Sequence, residues 1–305
     1  MKKCKIIFLL SFILIGGSVL AQGYAFKVMV NKGDNMQKSS GGSWLPIKTG
    51  AKLNNGDEIK LVENSYLGLV HSSGRTKELK EAKTYTVSAL SAALGSSGQS
   101  IGTKYADFVL SKMSPEQREE NQRKYASVTG AVERGSIDGS INIFMPTSVS
   151  VYNPSAVIRW EGIAENSIYQ VKLKNLFDEV IMVAETSQPF YNLDFTEQKI
   201  ASSVVENLII VSVSLKDNEE VFSKNAAIER ISGEDTSEFV GELTQLKTNL
   251  SEQSSINDLI LAEFYEENNL LLDALTSYEH AIKLSPDVSY FKEAYNEFLL
   301  RTGLK

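Results

Sequence analysis

Three patterns of apolar and polar residues follow one another along the chain, and each predicts a type of domain. From 24 to 94, and again from 140 to 232, apolar and polar residues alternate over short runs that end at Gly, Asn or Asp. Such runs predict strands joined by tight turns. From 235 to 305 apolar residues recur every three or four positions, which predicts about four amphipathic helices. The pattern therefore predicts a multidomain protein, β then α.

The changes of pattern also place the domain boundaries. We predict a signal peptide at 1–21, a small β domain at 22–94, a linker with helices at 95–139, a β-sandwich at 140–232 and a helical domain at 235–305. Two or three folded domains agree with the chain length, because one domain commonly holds about 100 to 200 residues.

The connector between the two β-rich regions begins with small, polar and glycine-rich sequence at 88–102, typical of a flexible linker or a long loop. Tyr105, Phe108 and Val109 then form an apolar stripe with helical spacing. Ser114, Pro115 and Gln117 form a strong helix start, with a Ser cap, Pro at the first position and Gln at the third. The charged run that follows predicts a solvated helix between two domains.

Four strands are predicted in the first domain, and residues 33–42 are predicted to be a polar loop. The strands are Phe26–Val30, Ile59–Leu61, Tyr66–His71 and Thr84–Val87. This part of the chain resembles the FecR-type domain of bacterial envelope proteins. The likeness lies in Val28, Gly33, Trp44, Leu45, Gly50, Leu53, Gly56, Asp57, Ser65, Leu67–Leu69, Gly74 and Tyr85. It implies a β-rich periplasmic module, which in some proteins serves as a sensor.

Seven short runs in the second domain predict a sandwich of two sheets. They are Ile141–Met145 or Val149–Tyr152, Val157–Trp160, Tyr169–Leu173, Val180–Ala184, Phe190–Leu193, Leu208–Leu215 and Val221–Ile228. Pro154 with Ile158–Trp160, followed by Tyr169–Leu173, resembles fibronectin type III and related immunoglobulin-like domains. The resemblance implies that Trp160 is the buried tryptophan of the second strand. It implies an architecture and no function.

The third domain contains a predicted pair of helices, Ser255–Glu267 and Leu270–Leu284, between the helices Ser237–Leu250 and Asp287–Leu300. The central pair resembles a tetratricopeptide repeat. Leu261, Ala262, Tyr265, Ala274, Tyr278, Ala281 and Pro286 match that family's pattern, whereas Asp258 stands where the family usually has a bulky aromatic.

The tetratricopeptide resemblance implies protein binding through the concave face of the repeat. On this sequence that face would carry Leu259, Glu263 and Glu266, and it would favour a basic or extended partner segment. The alternative is that the helices only pack together and the glutamates only solvate them.

The N-terminal sequence predicts export. Three lysines precede the apolar run Ile6–Ile15, and Val19–Ala21 offers small residues for cleavage before Gln22. Removal of this segment would remove Cys4, the sole cysteine, which excludes disulfides and thiolate metal sites from the mature chain. No transmembrane anchor is expected after cleavage. The net charge of −7 argues against nucleic acid as a partner.

The residues that commonly carry catalysis form no recognisable motif. His71 and His280 are the two histidines, and they lie in different domains. No phosphate-binding loop, nucleophile elbow or zinc-binding helix motif is present. We therefore expect no enzymatic activity, no metal and no cofactor. Trp44 has two interpretations, a lid over the small β core or an exposed platform for a sugar.

Two functional hypotheses follow from these patterns, and a hydrolase with an unrecognised site is a third possibility. The first is an exported, non-catalytic adaptor or scaffold of a bacterial cell envelope, which holds another envelope protein through its helical repeat and β domains. It would reside in the periplasm, at the outer membrane or outside the cell. The second is a glycan-binding or surface-attachment protein, with Trp44 and the preceding loop as the contact.

Overall fold

The computed structural model describes residues 23–94, 101–132, 141–203, 207–231, 237–250 and 253–304. The predicted signal peptide at 1–21 lies outside these ranges. Within them, a β-rich N-terminal region precedes helices, a second β-rich region and a C-terminal group of helices, which confirms the predicted β-then-α order. No helix in the described ranges combines the length and the apolar character needed to cross a bilayer.

Eight short strands form two antiparallel four-stranded sheets in the first β region. They are β1 (Phe26–Lys32), β2 (Met36–Lys38), β3 (Leu45–Pro46), β4 (Lys52–Leu53), β5 (Glu58–Lys60), β6 (Tyr66–His71), β7 (Thr76–Leu79) and β8 (Thr84–Thr86). The strand orders are β4-β1-β6-β7 and β3-β2-β5-β8. β2 lies inside the predicted loop, because its pairing with β5 stabilises three residues that have no apolar alternation of their own.

Three helices, α1 (Val87–Leu94), α2 (Ile101–Lys112) and α3 (Pro115–Val132), follow the first β region. α1 and the start of α2 occupy sequence that predicts a flexible linker, and this prediction is wrong there. The reason is that the alanines and leucines of α1 are strong helix formers. The predicted cap of α3 is confirmed, since the backbone N–H of Gln117 donates to Ser114 Oγ at 3.3 Å.

The second β region contains seven strands and one short helix. They are β9 (Ser148–Val151), β10 (Ser155–Arg159), β11 (Tyr169–Lys174), β12 (Val180–Thr186), β13 (Phe190–Asp194), α4 (Gln198–Ser203), β14 (Leu208–Leu215) and β15 (Ala226–Arg230). One sheet has the order β12-β11-β14-β15-β9, and β10 pairs with β13 in a second sheet. Trp160 is buried, and its ring meets the Tyr169 ring edge to face with centroids 5.3 Å apart.

Four helices form the C-terminal region, which we call the tail: α5 (Ser237–Asn249), α6 (Ser255–Glu267), α7 (Leu271–Leu284) and α8 (Ser289–Thr302). α6 begins where Ser254 Oγ accepts from the backbone N–H of Asn257. Asn269, with φ 57°, makes the turn into α7, and Gly303, with φ 69°, ends α8.

The apolar core of the tail continues into the neighbouring regions. One cluster of buried residues joins β1 and β6 of the first β region, α2, and all four tail helices. The core of the second β region includes Leu272 of α7. Within the described ranges, the interior between the two N-terminal sheets forms a third cluster, which contains no tail residues. The α6–α7 pair therefore contributes to two apolar cores. One is shared with the connector and the first β region, and the other is the core of the second β region.

Candidate functional site: protein-interaction surfaces

The acidic face of α6, defined by Leu259, Glu263 and Glu266, is covered by the chain's own residues. Leu259 is fully buried, Glu263 is 1% exposed, and the side chain of Glu266 is 8% exposed. α2 packs along α6, and the rings of Tyr105 and Phe264 meet edge to face with centroids 5.1 Å apart. An external partner would have to displace α2 to reach these three residues.

Two cations neutralise most of the charge on the acidic face. Lys112, the last residue of α2, places Nζ 2.7 Å from Glu263, 3.0 Å from Glu266 and 2.6 Å from Glu267. Arg301 of α8 donates from Nε and Nη2 to both carboxylate oxygens of Glu266, each at 2.5 Å. Three carboxylates thus share two cations, and one negative charge is left in excess.

The excess charge falls on Glu263, the most buried carboxylate of the three. Burial, aided by the charge of Glu266 and opposed by Lys112, raises the pKa of Glu263 to about 7. Burial also acts to raise the pKa of Glu266, but the hydrogen bonds from Arg301 outweigh it and hold that pKa below its usual value. Burial acts to lower the pKa of Lys112, but the nearby carboxylates outweigh it and raise that pKa above its usual value, which keeps this ammonium charged.

A second buried carboxylate joins the tail to the second β region. Asp273 of α7 is fully buried, and its two oxygens accept from the backbone N–H groups of Tyr152 at 2.8 Å and Asn153 at 3.0 Å. Nearby, Arg159 Nη2 donates to Glu279 Oε2 at 2.8 Å, and Arg159 Nε completes a bidentate pair. Burial, opposed by the two backbone hydrogen bonds, raises the pKa of Asp273 to about 6.

The tail also packs against the first β region. A Cβ placed on Gly68 of β6 would lie 2.1 Å from Ile256 Cδ1, so α6 approaches this strand closely, and a larger residue at position 68 would require the Ile256 side chain to shift. Thr76 Oγ1 donates to Asn257 Oδ1 at 2.5 Å. The tail therefore contacts the first β region, the connector and the second β region through different faces of its helices.

Trp44, the predicted sugar platform, precedes β3 and is half-buried. Lys38 Nζ lies 5.0 Å from the centroid of its ring, so an ammonium occupies one side of the indole. The neighbouring Leu45 is exposed. Neither interpretation of Trp44 is decided by this geometry, and both stay predictions.

The two histidines have local partners. His71 is buried, with Nδ1 2.7 Å from Ser73 Oγ and Nε2 2.9 Å from Ser91 Oγ, and burial lowers its pKa. His280 Nδ1 lies 2.7 Å from Asp258 Oδ2, which gives a local role to the residue that departs from the tetratricopeptide pattern. Across the described ranges no group of His, Cys, Asp and Glu side chains is arranged to hold a metal ion.

The strongly exposed large apolar residues lie on the β regions. Eight are found in the described part of the chain, seven of them in the second β region and none in the tail. They are Leu45, Ile163, Ile168, Leu176, Phe177, Val180, Val183 and Phe222. Exposed apolar side chains that cluster are typical of an interaction surface.

Four of these residues lie on the β11–β12 hairpin, whose turn is stabilised by hydrogen bonds of Asn175. The buried Asn175 accepts through Oδ1 from the backbone N–H groups of Phe177 at 2.9 Å and Glu179 at 3.0 Å. Its Nδ2 donates to Glu179 Oε2 at 2.8 Å. This turn holds Leu176 and Phe177 outward, and Phe177 is 70% exposed.

β12 is also the terminal strand of its sheet. It pairs with β11 on one side, no described strand pairs with its other side, and the short helix α4 packs against it. Residues 180–184, Val-Ile-Met-Val-Ala, contain neither a charge nor a proline. Natural edge strands commonly carry such residues to prevent pairing with other chains. The free side of β12 therefore has the properties of a strand-docking site.

Sequence reasoning predicted a strand at Val180–Ala184 but missed its role as an interaction surface. One signal was available: five successive apolar residues follow the apolar turn residues Leu176 and Phe177, without polar alternation. That pattern is typical of a strand buried on both faces, and only the sheet order reveals that β12 lies at an edge.

No family model matches the sequence, and no match is found among curated proteins. The resemblances to FecR-type, fibronectin type III and tetratricopeptide domains therefore stay predictions.

Proposed function

We propose that the protein is an exported, non-catalytic adaptor of a bacterial cell envelope and that it binds a protein partner through the second β region. One observation carries this proposal. Seven of the eight strongly exposed large apolar residues in the described ranges lie on that region, whereas the acidic face of the tail is occupied by Lys112 and Arg301. In this proposal the tail packs against both β regions and holds them in a fixed arrangement, while the second β region binds the partner.

Fold-level features support the predicted families within this proposal. A β12-β11-β14-β15-β9 sheet facing a β10-β13 pair, with a buried Trp160 beside β10, is compatible with a fibronectin-like sandwich. The helix pair α6–α7 and the stop at Pro286 are compatible with one tetratricopeptide unit. The two small sheets of the first β region are compatible with a FecR-like module.

The N-terminal sequence supports the location assigned in this proposal. A basic head, an apolar run and small residues before Gln22 are typical of a secretory signal peptide. A mature chain without cysteine has no disulfide to stabilise it. Such a chain is compatible with a bacterial envelope, where a protein of this size needs no disulfide.

The occupant of the docking surface, in this proposal, is an extended segment of an envelope protein that adds a strand to β12. Backbone hydrogen bonds along the free side of β12 would provide affinity, and alternate side chains would provide specificity. Lys172 and Lys174 of β11 lie beside Val183 and Val180 on the same face of the sheet. A segment in which apolar residues alternate with acidic ones would match this arrangement.

Affinity capture from envelope extract, with three variants of the mature chain, tests this proposal. Val183→Lys places a charge on the free edge and Phe177→Ser removes the projecting ring, whereas Leu45→Ser changes an exposed apolar residue of the first β region. The proposal predicts that Val183→Lys and Phe177→Ser each lose a specific partner that the wild type and Leu45→Ser retain. Thermal unfolding of each variant shows whether the fold is kept.

Sedimentation of the purified chain separates the main alternatives. If the wild type forms a dimer that Val183→Lys dissociates, the occupant of β12 is a second copy and the adaptor proposal fails. It also fails if all variants retain the same partners. A synthetic peptide from the captured protein, bound by wild type and lost with Val183→Lys, would support it.

Glycan binding through Trp44 is a second candidate function, favoured by the partial exposure of its ring beside the exposed Leu45. Loss of retention on immobilised glycan by Trp44→Ala, with unchanged melting, would support it. Equal retention of wild type and Trp44→Ala would exclude Trp44 as the contact.

A further inference from the structure

A cleft of about 300 Å³ lies on the outer face of the five-stranded sheet, away from the sandwich core. Its floor is made by β11 and β14, and its wall by residues 219–225. The wall is fixed to β14, because Ser223 N donates to Val213 O at 2.7 Å and Val213 N donates to Ser223 Oγ at 2.9 Å. The volume is at the lower end for small-molecule sites, enough for about one sugar ring.

The cleft is basic in a chain whose net charge is −7. Lys172, Lys174 and Lys224 line it, against one carboxylate, Glu219. Lys174 pairs with Asp178 at 2.7 Å, whereas Lys172 and Lys224 have no carboxylate within ion-pair distance in the described ranges. Cations gathered in one concave site focus a positive potential there, and an anionic ligand relieves their mutual repulsion.

The other groups in the cleft suit a hydroxylated ligand. Ser212 and Ser214 of β14 line the floor, and Ser212 lies directly across from Lys172. Phe222 stands on the wall and is 58% exposed. Hydroxyls can bond to sugar hydroxyls, and an exposed ring can cover the apolar face of a sugar. No arginine lines the cleft, and arginine is the preferred bidentate partner of phosphate.

We propose that this cleft binds a carboxylated sugar, with Lys172 and Lys224 holding the carboxylate, the two serines bonding to hydroxyls and Phe222 covering one face of the ring. The cleft adjoins the outer face of β12, because Lys172 also lies beside Val183, but its ligand class differs from the extended segment proposed for the free side of β12. It is also a different site, with a different ligand class, from the glycan contact predicted at Trp44.

Titration of the mature chain with tetragalacturonic acid tests this proposal, by calorimetry or by chemical shifts. Maltotetraose serves as the neutral sugar and hexaglutamate as the acidic ligand without a sugar. We expect saturable binding of tetragalacturonic acid that weakens as salt rises to about 1 M, because the pairs are partly exposed. Lys172→Ala and Lys224→Ala should each weaken it about threefold to fivefold.

Two variants serve as controls in the same titration. Lys216 lies in the same region but pairs with Glu185 at 2.7 Å and does not line the cleft, so Lys216→Ala should bind as the wild type does. Phe177→Ser, which disables the proposed protein-docking surface, should also retain sugar binding. If this variant loses protein capture and keeps the sugar, the two proposals stand independently.

Four results would overturn the proposal. They are no binding of tetragalacturonic acid, equal binding of maltotetraose, equal binding of hexaglutamate, and lysine variants that bind like the wild type. Equal binding of hexaglutamate would identify the cleft as a site for acidic peptides.

Discussion

Replacing Lys112 by methionine tests whether the acidic face of α6 stabilises the packing of α2 on the tail. Lys112 Nζ contacts Glu263, Glu266 and Glu267 within 3.0 Å, and Arg301 is already engaged with Glu266. Methionine keeps the length and apolar stem of lysine and removes the charge. The change therefore leaves three clustered carboxylates with a single cation.

The expected loss follows from the burial of these groups. Breaking a buried ion pair by removing one partner costs about 3–5 kcal/mol. The side chain of Lys112 is 23% exposed, and we therefore expect solvent screening to reduce the loss to about 2–3 kcal/mol. Glu263 can limit the loss by binding a proton, because its pKa is already about 7.

Urea unfolding of the mature chain near pH 8, where Glu263 is mostly ionised, measures this loss. Arg123→Met is the matched control, because its pair with Glu119 is exposed and lies within one helix. The control should change the free energy of unfolding by less than about 0.5 kcal/mol. Glu263→Gln in the Lys112→Met background should restore part of the stability, with a coupling of about 1–2 kcal/mol.

Two results would refute this reasoning. One is a Lys112→Met variant that is as stable as Arg123→Met. The other is a Glu263→Gln change with the same effect in both backgrounds, since the two side chains would then be uncoupled. Either would mean that α2 does not dock on the tail through this cluster.

Three further predictions concern contacts of the connector and the tail. Gly102→Ala should lower the melting temperature, although alanine favours helix, because the new Cβ would lie 2.6 Å from the carbonyl oxygen of Gly74. Gly241→Ala is the control: the space around Gly241 is open, so this change should raise the melting temperature. Asp273→Ala should cost about 2–4 kcal/mol in urea unfolding, because it leaves two backbone N–H groups without acceptors. The contribution of Glu263 to stability should rise as pH falls from about 8 to about 5, because the pKa of Glu263 is about 7 when folded and 4.5 is its ordinary value. Over that range the folded state binds a proton that the unfolded state has released. Unfolding at several pH values should show a flatter dependence for Glu263→Gln.

The tail could be predicted well because its signals are local. Ser255–Glu267 was predicted at both ends, from apolar spacing and the turn expected at Asn268 and Asn269, and Ser254 proves to be its cap. β6 and β14 were also predicted at both ends. In each case strong alternation or helical spacing ends at a turn residue, so neighbouring residues suffice to define the element.

The covering of the acidic face could not be predicted, because it depends on residues that are distant in sequence. Lys112 and Glu266 are 154 positions apart. Glutamates at helical spacing have the same pattern whether they are solvated, bind a partner or meet a cation from their own chain. Only the packing of α2 on α6 distinguishes these cases.

The exposed edge of β12 was hidden for a similar reason. The run at Val180–Ala184 predicts a strand, but strand order is set by pairings between distant segments, such as β11 with β14. A run of apolar residues has the same pattern in a central strand and in an edge strand made for docking. The sequence therefore predicted the strand but not its position at the edge of the sheet.

Photo-crosslinking in living cells tests the central claim most directly. A photoreactive residue is placed at position 183 on the free side of β12, and in a second variant at position 267, at the exposed margin of the acidic face. The account predicts a crosslink to another envelope protein from position 183, and from position 267 only crosslinks within the chain. A partner captured from position 267 and none from position 183 would contradict it.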